Sequence, residues 1–178
     1  MSYASLKAER DSWVTQAYLR THGITITNRD LGGLAKMGFT SLEQGQTFAT
    51  ARDRNPAVKN FLDSFAAEAV PMRNGQPVAS RLDPVMAAMG QRFRQDPRLL
   101  DKLAEDFREN PGVDRQLAAA IRANPARAAQ AIRAYTGADG TGPNGARNGQ
   151  LEQLIRQINP PPAPAAAPQR REAPPPAA

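Results

Sequence analysis

The sequence predicts an all-α protein, and two repeating patterns in its middle third lead to this fold class. The first is a regular placement of proline: an Asp-Pro or Asn-Pro pair begins at residues 96, 110 and 124, at intervals of 14 residues. Proline is tolerated at the first position of a helix, because that N–H has no partner within the helix. An Asp or Asn just before it can cap the helix. Each pair is therefore expected to separate two helices.

The second pattern is an apolar residue at every fourth position between those pairs. The repeated positions are Leu99, Leu103 and Phe107, and then Val113, Leu117 and Ile121. A spacing of four places side chains on one face of a helix, so residues 96–135 should form three helices of roughly 12 residues. Helices this short are not stable alone, and they must pack on one another. We therefore expect a compact bundle of about six or seven short helices, repeat-like over 83–135.

Residues 1–70 are predicted to form an N-terminal helical subdomain. Its first helix places an apolar face at Leu6, Trp13, Val14, Ala17 and Tyr18, and Gly23 is a natural stop. Residues 23–27 alternate as a strand does, but no partner strand is evident. Thr40 and Glu43 have the spacing of a capping box for a later helix. Asn55-Pro56 then begins the last helical stretch of this subdomain.

The rest of the chain divides by composition. Residues 71–80 resemble an internal loop, and 81–136 form the repeat-like helical subdomain. Residues 137–149 are rich in glycine and are expected to be a flexible linker. Residues 150–158 form an amphipathic helix, and residues 159–178, rich in Pro and Ala, are expected to be a disordered tail.

Charge and cysteine content limit the classes of function. The net charge is +6, but basic and acidic residues are dispersed along the chain. The absence of cysteine removes disulfides and thiolate chemistry. We find neither a signal peptide nor an apolar run long enough for a membrane span, and we expect a cytoplasmic protein. Export by a route without a cleaved signal stays open.

No catalytic, metal or cofactor site is predicted. The glycines of 140–145 match a phosphate-loop spacing, but they lack the preceding strand that such a loop needs. His22 is the single histidine, expected as a helix cap. Asp101, Glu105 and Glu109 share one helical face that should be solvated. The pattern does not favour an enzyme, although a site assembled from scattered residues leaves no linear trace.

The predicted function is a non-catalytic helical interaction or adaptor module that engages another protein. Its expected partner-binding residues are the apolar face of the tethered helix: Leu151, Leu154, Ile155 and Ile158. The competing interpretation is that this helix docks on its own bundle. A second hypothesis is a nucleic-acid-associated protein that uses the arginines of 111–135, namely Arg115, Arg122, Arg127 and Arg133. A third is a small exported effector or a virion-associated protein, as in bacteria and their phages.

Overall fold

The structure, a computed structural model, describes residues 3–135 and 150–160 and confirms the all-α fold class. Eleven helices occur in these residues, with bounds α1 Tyr3–Asp11, α2 Trp13–Thr21, α3 Asn28–Lys36, α4 Leu42–Asp53, α5 Pro56–Asp63, α6 Ala66–Ala69, α7 Asp83–Gln95, α8 Leu99–Glu109, α9 Val113–Ala123, α10 Pro125–Ala134 and α11 Gln150–Ile158. The strands β1 Met72–Arg73 and β2 Gln76–Pro77 form a short hairpin. The predicted linker and nearly all of the predicted tail lie outside the described residues.

The N-terminal apolar face belongs to two helices rather than to one. Ser12 separates them: its hydroxyl accepts a hydrogen bond from the Thr15 amide at 3.4 Å and so caps α2. Leu6 on α1 is fully buried, whereas Trp13 on α2 is exposed. The prediction of one continuous helix was wrong here, because a serine between two apolar segments can end a helix without interrupting the apolar spacing.

The α3–α4 region is capped by residues close to those predicted. Thr27 and Asp30 form a reciprocal capping box at the start of α3, so the extended residues before it lead into a helix rather than a strand. Ser41, not Thr40, is the N-cap of α4, and its hydroxyl accepts from the Gln44 amide at 3.2 Å. The predicted capping box was therefore placed one residue early.

The Asp-Pro and Asn-Pro pairs lie at helix boundaries, with proline in the first turn of α5, α7 and α10. The expectation was wrong for α8 and α9, because Pro97 and Pro111 precede their N-cap residues, Arg98 and Gly112. Asn55 and Asn124 occupy N-cap positions without making a side-chain capping bond. The amide of Asn55 donates instead to the Ala51 carbonyl and to Asp101, both at 2.8 Å. Asp96 accepts from the Arg98 amide at 3.1 Å, just before α8 begins. Proline therefore positions the boundaries, while the preceding residue contributes tertiary bonds.

The predicted loop 71–80 is a tight hairpin that is fixed to the helices. Asn74 and Gly75 form its turn with positive φ angles of 53° and 75°, a conformation that these two residue types favour. Lys36 donates to the carbonyls of Ala69 and Val78, on either side of the hairpin, and pairs with Asp83 at 2.7 Å. One partly buried ammonium thus joins α3, the hairpin and α7.

The core is one hydrophobic cluster that includes residues from both halves of the sequence. Phe39, Phe48 and Phe93 stack edge to face within it, and Phe61 contacts Phe65 and Phe107. Helix α7 is central and packs closely along α10. At Gly90, α7 lies directly against the end of α3: a Cβ on this residue would fall 1.9 Å from the Met37 carbonyl oxygen.

Candidate interaction surface

Helix α2 exposes a group of large hydrophobic side chains, Trp13, Val14 and Tyr18, which we call the α2 face. Trp13 is 82% exposed, Val14 is 59% exposed and Tyr18 is 56% exposed, and they are the large hydrophobic residues exposed within the described ranges. Scattered apolar residues are normal on a protein surface, but contiguous apolar patches mark interaction sites. The α2 face brings three exposed apolar side chains together within six positions of one helix.

Hydrogen bonds fix the orientation of α2. Gln16 donates to the Arg10 carbonyl at 2.7 Å, and the Arg10 guanidinium donates to the Ile26 carbonyl at 2.9 Å. Leu19, on the opposite side of α2, is buried. These contacts hold one side of the helix against the body of the protein, so the α2 face is presented to solvent as a fixed surface.

An open, mostly apolar groove of about 690 Å³ lies beside the α2 face. Tyr18 and Leu19 of α2 line one wall, Leu42 and Ala51 of α4 line another, and Phe93 of α7 contributes an aromatic surface. This volume is within the range of roughly 300–1,000 Å³ that ligand sites occupy. Tyr18 therefore belongs both to the α2 face and to the groove.

The groove carries four charged side chains in two different situations. Arg54 and Asp101 form an ion pair at 3.1 Å, so the Asp101 carboxylate, on the face that the sequence predicts to be solvated, has a charged partner. Glu43 and Arg98 also line the groove, and neither has an ion-pair partner among the residues that the structure describes. A ligand with both signs of charge could therefore pair with this groove.

His22 is placed as the sequence predicted, at the C-cap of α2. Its ring stacks on Tyr18, with centroids 4.1 Å apart, and Nδ1 lies 2.9 Å from the Tyr18 carbonyl oxygen. Groups of three or more potential metal ligands do not occur within residues 3–135 and 150–160. His22 thus supports the Tyr18 ring at the edge of the α2 face.

Helix α11 lies on its own bundle. Leu151 and Ile158 are fully buried, Leu154 is nearly so, and Ile155 is partly buried. The contacts are with α9 and α10. The competing interpretation of the sequence, docking on the bundle, therefore describes this helix in the structure, and a partner would reach these residues only after undocking.

The four arginines of the nucleic-acid hypothesis are not equivalent. Arg122 pairs with Glu68 at 2.9 Å and donates to the Ser64 carbonyl at 2.6 Å, so it connects α9 to the α5–α6 region. Arg115, Arg127 and Arg133 are exposed. The structure thus leaves three of these guanidinium groups at the surface and commits the fourth to tertiary contacts.

A buried polar cluster was missed by the sequence analysis. Asp106 is fully buried and accepts a hydrogen bond from the Tyr135 hydroxyl. Arg92 donates twice to the Tyr135 carbonyl, at 2.9 and 2.5 Å. Burial, reinforced by the adjacent Asp106 carboxylate, raises the pKa of the Tyr135 hydroxyl well above its ordinary value. Because Asp106 has no exposed surface, we interpret the cluster as structural.

The fold and the site define a helical protein with an aromatic surface patch beside an apolar groove. Comparison with protein-family models, with curated proteins and with solved structures gave no match. Over residues 3–135 and 150–160, every helix falls short of the length and apolar character that crossing a bilayer requires.

Proposed function

We propose that this protein is a non-catalytic helical interaction or adaptor module that binds another protein through the α2 face. The observation that carries this proposal is the exposure of Trp13, Val14 and Tyr18 on one helix, beside a groove. Tryptophan and tyrosine are the residue types most enriched among interface residues that dominate binding energy. They supply a large contact area with few rotatable bonds.

The free energy available from covering the α2 face favours a protein partner. Covering Trp13 would remove roughly 150–200 Å² of mostly apolar surface from water, worth about 4–5 kcal/mol at about 25 cal/mol per Å². Tyr18 and Val14 add to this term, and the association cost of several kcal/mol is offset only when a partner covers the whole patch. A protein surface or a peptide covers that area.

The predicted role of α11 remains a second contact mode within the same proposal. Engagement through this helix would require Leu151 and Ile158 to leave the core, at a cost that the partner would have to offset. The α2 face requires no such rearrangement. We therefore expect the α2 face to make the first contact, with α11 contributing only if a partner displaces it from α9 and α10.

A comparative capture experiment tests the proposal. The immobilised full chain is compared with a Trp13→Ala/Tyr18→Ala variant and with Arg20→Ala, a matched control that shortens another exposed side chain of α2. We expect the double variant to lose at least about tenfold in affinity for a captured partner, as for truncated hot spots, and Arg20→Ala to retain it. A partner held equally by all three proteins would show that the α2 face is not the binding surface.

An α11 variant separates the two contact modes. Ile155 is the partly buried member of the apolar face of α11, so Ile155→Ala alters that face with limited loss of core packing. If α11 is the contact, Ile155→Ala should weaken capture while Trp13→Ala/Tyr18→Ala does not. The reverse outcome is the one that we expect.

A further inference from the structure

The chain itself contains a segment whose chemistry matches the α2 face. Eight of its 16 prolines lie in residues 159–178, and three of them are consecutive at Pro174, Pro175 and Pro176. Proline-rich segments favour the polyproline II conformation and dock on surfaces lined by aromatic side chains. Little order is lost on binding, because the proline backbone is already restricted. Trp13 and Tyr18 are exposed aromatic side chains of the kind that such a segment needs.

We propose that residues 161–178 of this same chain dock on the α2 face and its groove, with Pro174–Pro176 against Tyr18 and Trp13. The inference rests on the proposed function, because the tail would compete with the partner for the α2 face. The tail then regulates access to the α2 face, and a partner binds by displacing it.

Charge complementarity supports this occupant. Arg170, Arg171 and Glu172 precede the proline triplet 174–176, with Ala173 between them and it. The groove presents Glu43 and Arg98, which have no ion-pair partners within the described part of the chain. The tail therefore carries, in consecutive positions, charges of the opposite sign for both groove residues. A fully apolar tail would leave these two groups unmatched.

The length of the tail is sufficient. Helix α11 packs on α10, α10 packs on α7, and Phe93 of α7 lines the groove. Two interaxial distances of roughly 8–10 Å and the breadth of α7, roughly 10 Å, give a path of about 30 Å. In the polyproline II conformation, at about 3.1 Å per residue, residues 161–170 span about 31 Å. The charged residues would thus arrive at the groove, and the proline triplet would continue along the α2 face.

A weak contact is enough for substantial occupancy. A short tether gives the tail an effective concentration of about 1 mM at the α2 face. An intrinsic dissociation constant of about 1 mM, equivalent to about −4 kcal/mol, therefore leaves the tail docked in half of the molecules. Burial of Trp13 together with Tyr18, less the cost of association, is of this size. Docking in half of the molecules would reduce nonspecific association through the α2 face, and a partner that binds more tightly would still displace the tail.

The composition of the chain provides a direct test. Trp13 is its single tryptophan, and there is no cysteine. In the full-length protein, Ala173→Cys therefore accepts one fluorescent label, and energy transfer from Trp13 reports the distance between the tail and α2. We expect transfer to be severalfold higher in this protein than in one that also carries Pro174→Ser, Pro175→Ser and Pro176→Ser. We also expect Tyr18→Ala to lower it.

Exchanging the charges of the groove and the tail tests whether the charged tail residues lie against the groove. Glu43→Lys should lower the transfer, and adding Arg170→Glu and Arg171→Glu to that variant should restore it. Glu43 is exposed, so its replacement leaves the core unchanged.

Three results would overturn the inference. Equal transfer with and without the proline triplet would show that the tail does not dock through it. Insensitivity to Tyr18→Ala would place the tail elsewhere. Loss of transfer on dilution with unlabelled protein would identify a second copy, rather than the same chain, as the source of the tail. The assay contains no partner, so its failure leaves the capture experiment intact, and failure of that experiment leaves this result standing.

Discussion

The close contact between α7 and the end of α3 gives a prediction whose magnitude follows from the structure. In Gly90→Ala, the new Cβ would fall 1.9 Å from the Met37 carbonyl oxygen and 2.7 Å from the carbonyl carbon and Cβ of Met37. Ordinary carbon contacts are about 3.5–4.0 Å, so the helices would have to separate by more than about 1 Å. Because the obstacle is backbone, no side-chain rotation relieves it.

The expected cost combines three terms. Overpacking of a core costs roughly 1–3 kcal/mol, and separation would also weaken the 2.6 Å bond from Arg94 to the Met37 carbonyl, worth about 1.5–3 kcal/mol for a charged donor. Alanine recovers roughly 1 kcal/mol through its higher helix propensity. We expect the free energy of unfolding to fall by about 2–4 kcal/mol.

Urea unfolding followed by far-ultraviolet circular dichroism measures this change, and Gly33→Ala is the matched control. Gly33 is also a buried helical glycine, but a Cβ there would lie 3.7 Å from Met86 and Val70, an ordinary contact. We expect Gly33→Ala to be neutral or stabilising by up to about 1 kcal/mol. A Gly90→Ala protein as stable as the wild type would refute the close approach of α7 to the end of α3.

The remaining predictions concern the buried cluster, α11 and the α2 face. Tyr135→Phe removes the hydroxyl that donates to Asp106 and should cost about 1–3 kcal/mol in unfolding experiments near neutral pH, whereas Tyr18→Phe should cost little. Folding raises the pKa of the Tyr135 hydroxyl above its ordinary value of 10.0. The stability that comes from keeping this hydroxyl protonated is therefore complete below pH 10.0 and declines as the pH rises further. Tyr135→Phe should reduce this loss of stability at alkaline pH, as measured by unfolding at a series of pH values. Ile158→Ala should lower the free energy of unfolding by about 2–5 kcal/mol and Ile155→Ala by clearly less, and equal losses would contradict the docking of α11 on α9 and α10. Trp13→Ala should change stability by no more than about 0.5 kcal/mol, because its side chain is exposed, and a larger loss in thermal unfolding would indicate an unrecognised internal role.

The part of the fold that could be predicted from sequence is the part that depends on local rules. Proline fixes its own φ angle and removes a donor, so the starts of α7 and α10 follow from Asp83-Pro84 and Asn124-Pro125, and those of α8 and α9 follow to within two residues from the other two pairs. The apolar spacing of four likewise identified the buried faces of α8 and α9. Both effects operate within a few residues of the chain and need no knowledge of distant contacts.

The α2 face could not be predicted in the same way. An apolar stripe shows that side chains share a face of a helix, but burial depends on whether another element covers it. Leu6 is covered and Trp13 is not, although the spacing treats them alike. The helix breaks at Ser12, and α2 then exposes Trp13. This break depends on a single capping bond, from the Thr15 amide to the Ser12 hydroxyl, which competes with continuation of the helix.

The buried cluster required long-range information. Asp106 belongs to a helix that also carries Asp101, Glu105 and Glu109, and nothing local distinguishes one acid from the others. Its neighbour Phe107 and the preceding Leu103 indicate the buried side, which is a weak clue. Asp106 is matched by a hydroxyl 29 positions away, and Arg92 by a carbonyl 43 positions away. Such pairings emerge only when the helices are assembled.

The two hydrogen bonds from Arg92 to the Tyr135 carbonyl have a mechanical consequence. Tyr135 directly follows α10, and the Arg92 guanidinium holds its carbonyl from within α7, the central helix. Once α11 had been pulled away from α9 and α10, a force on the chain at Tyr135 would therefore be transmitted to the middle of the core rather than unravelling α10 from its end.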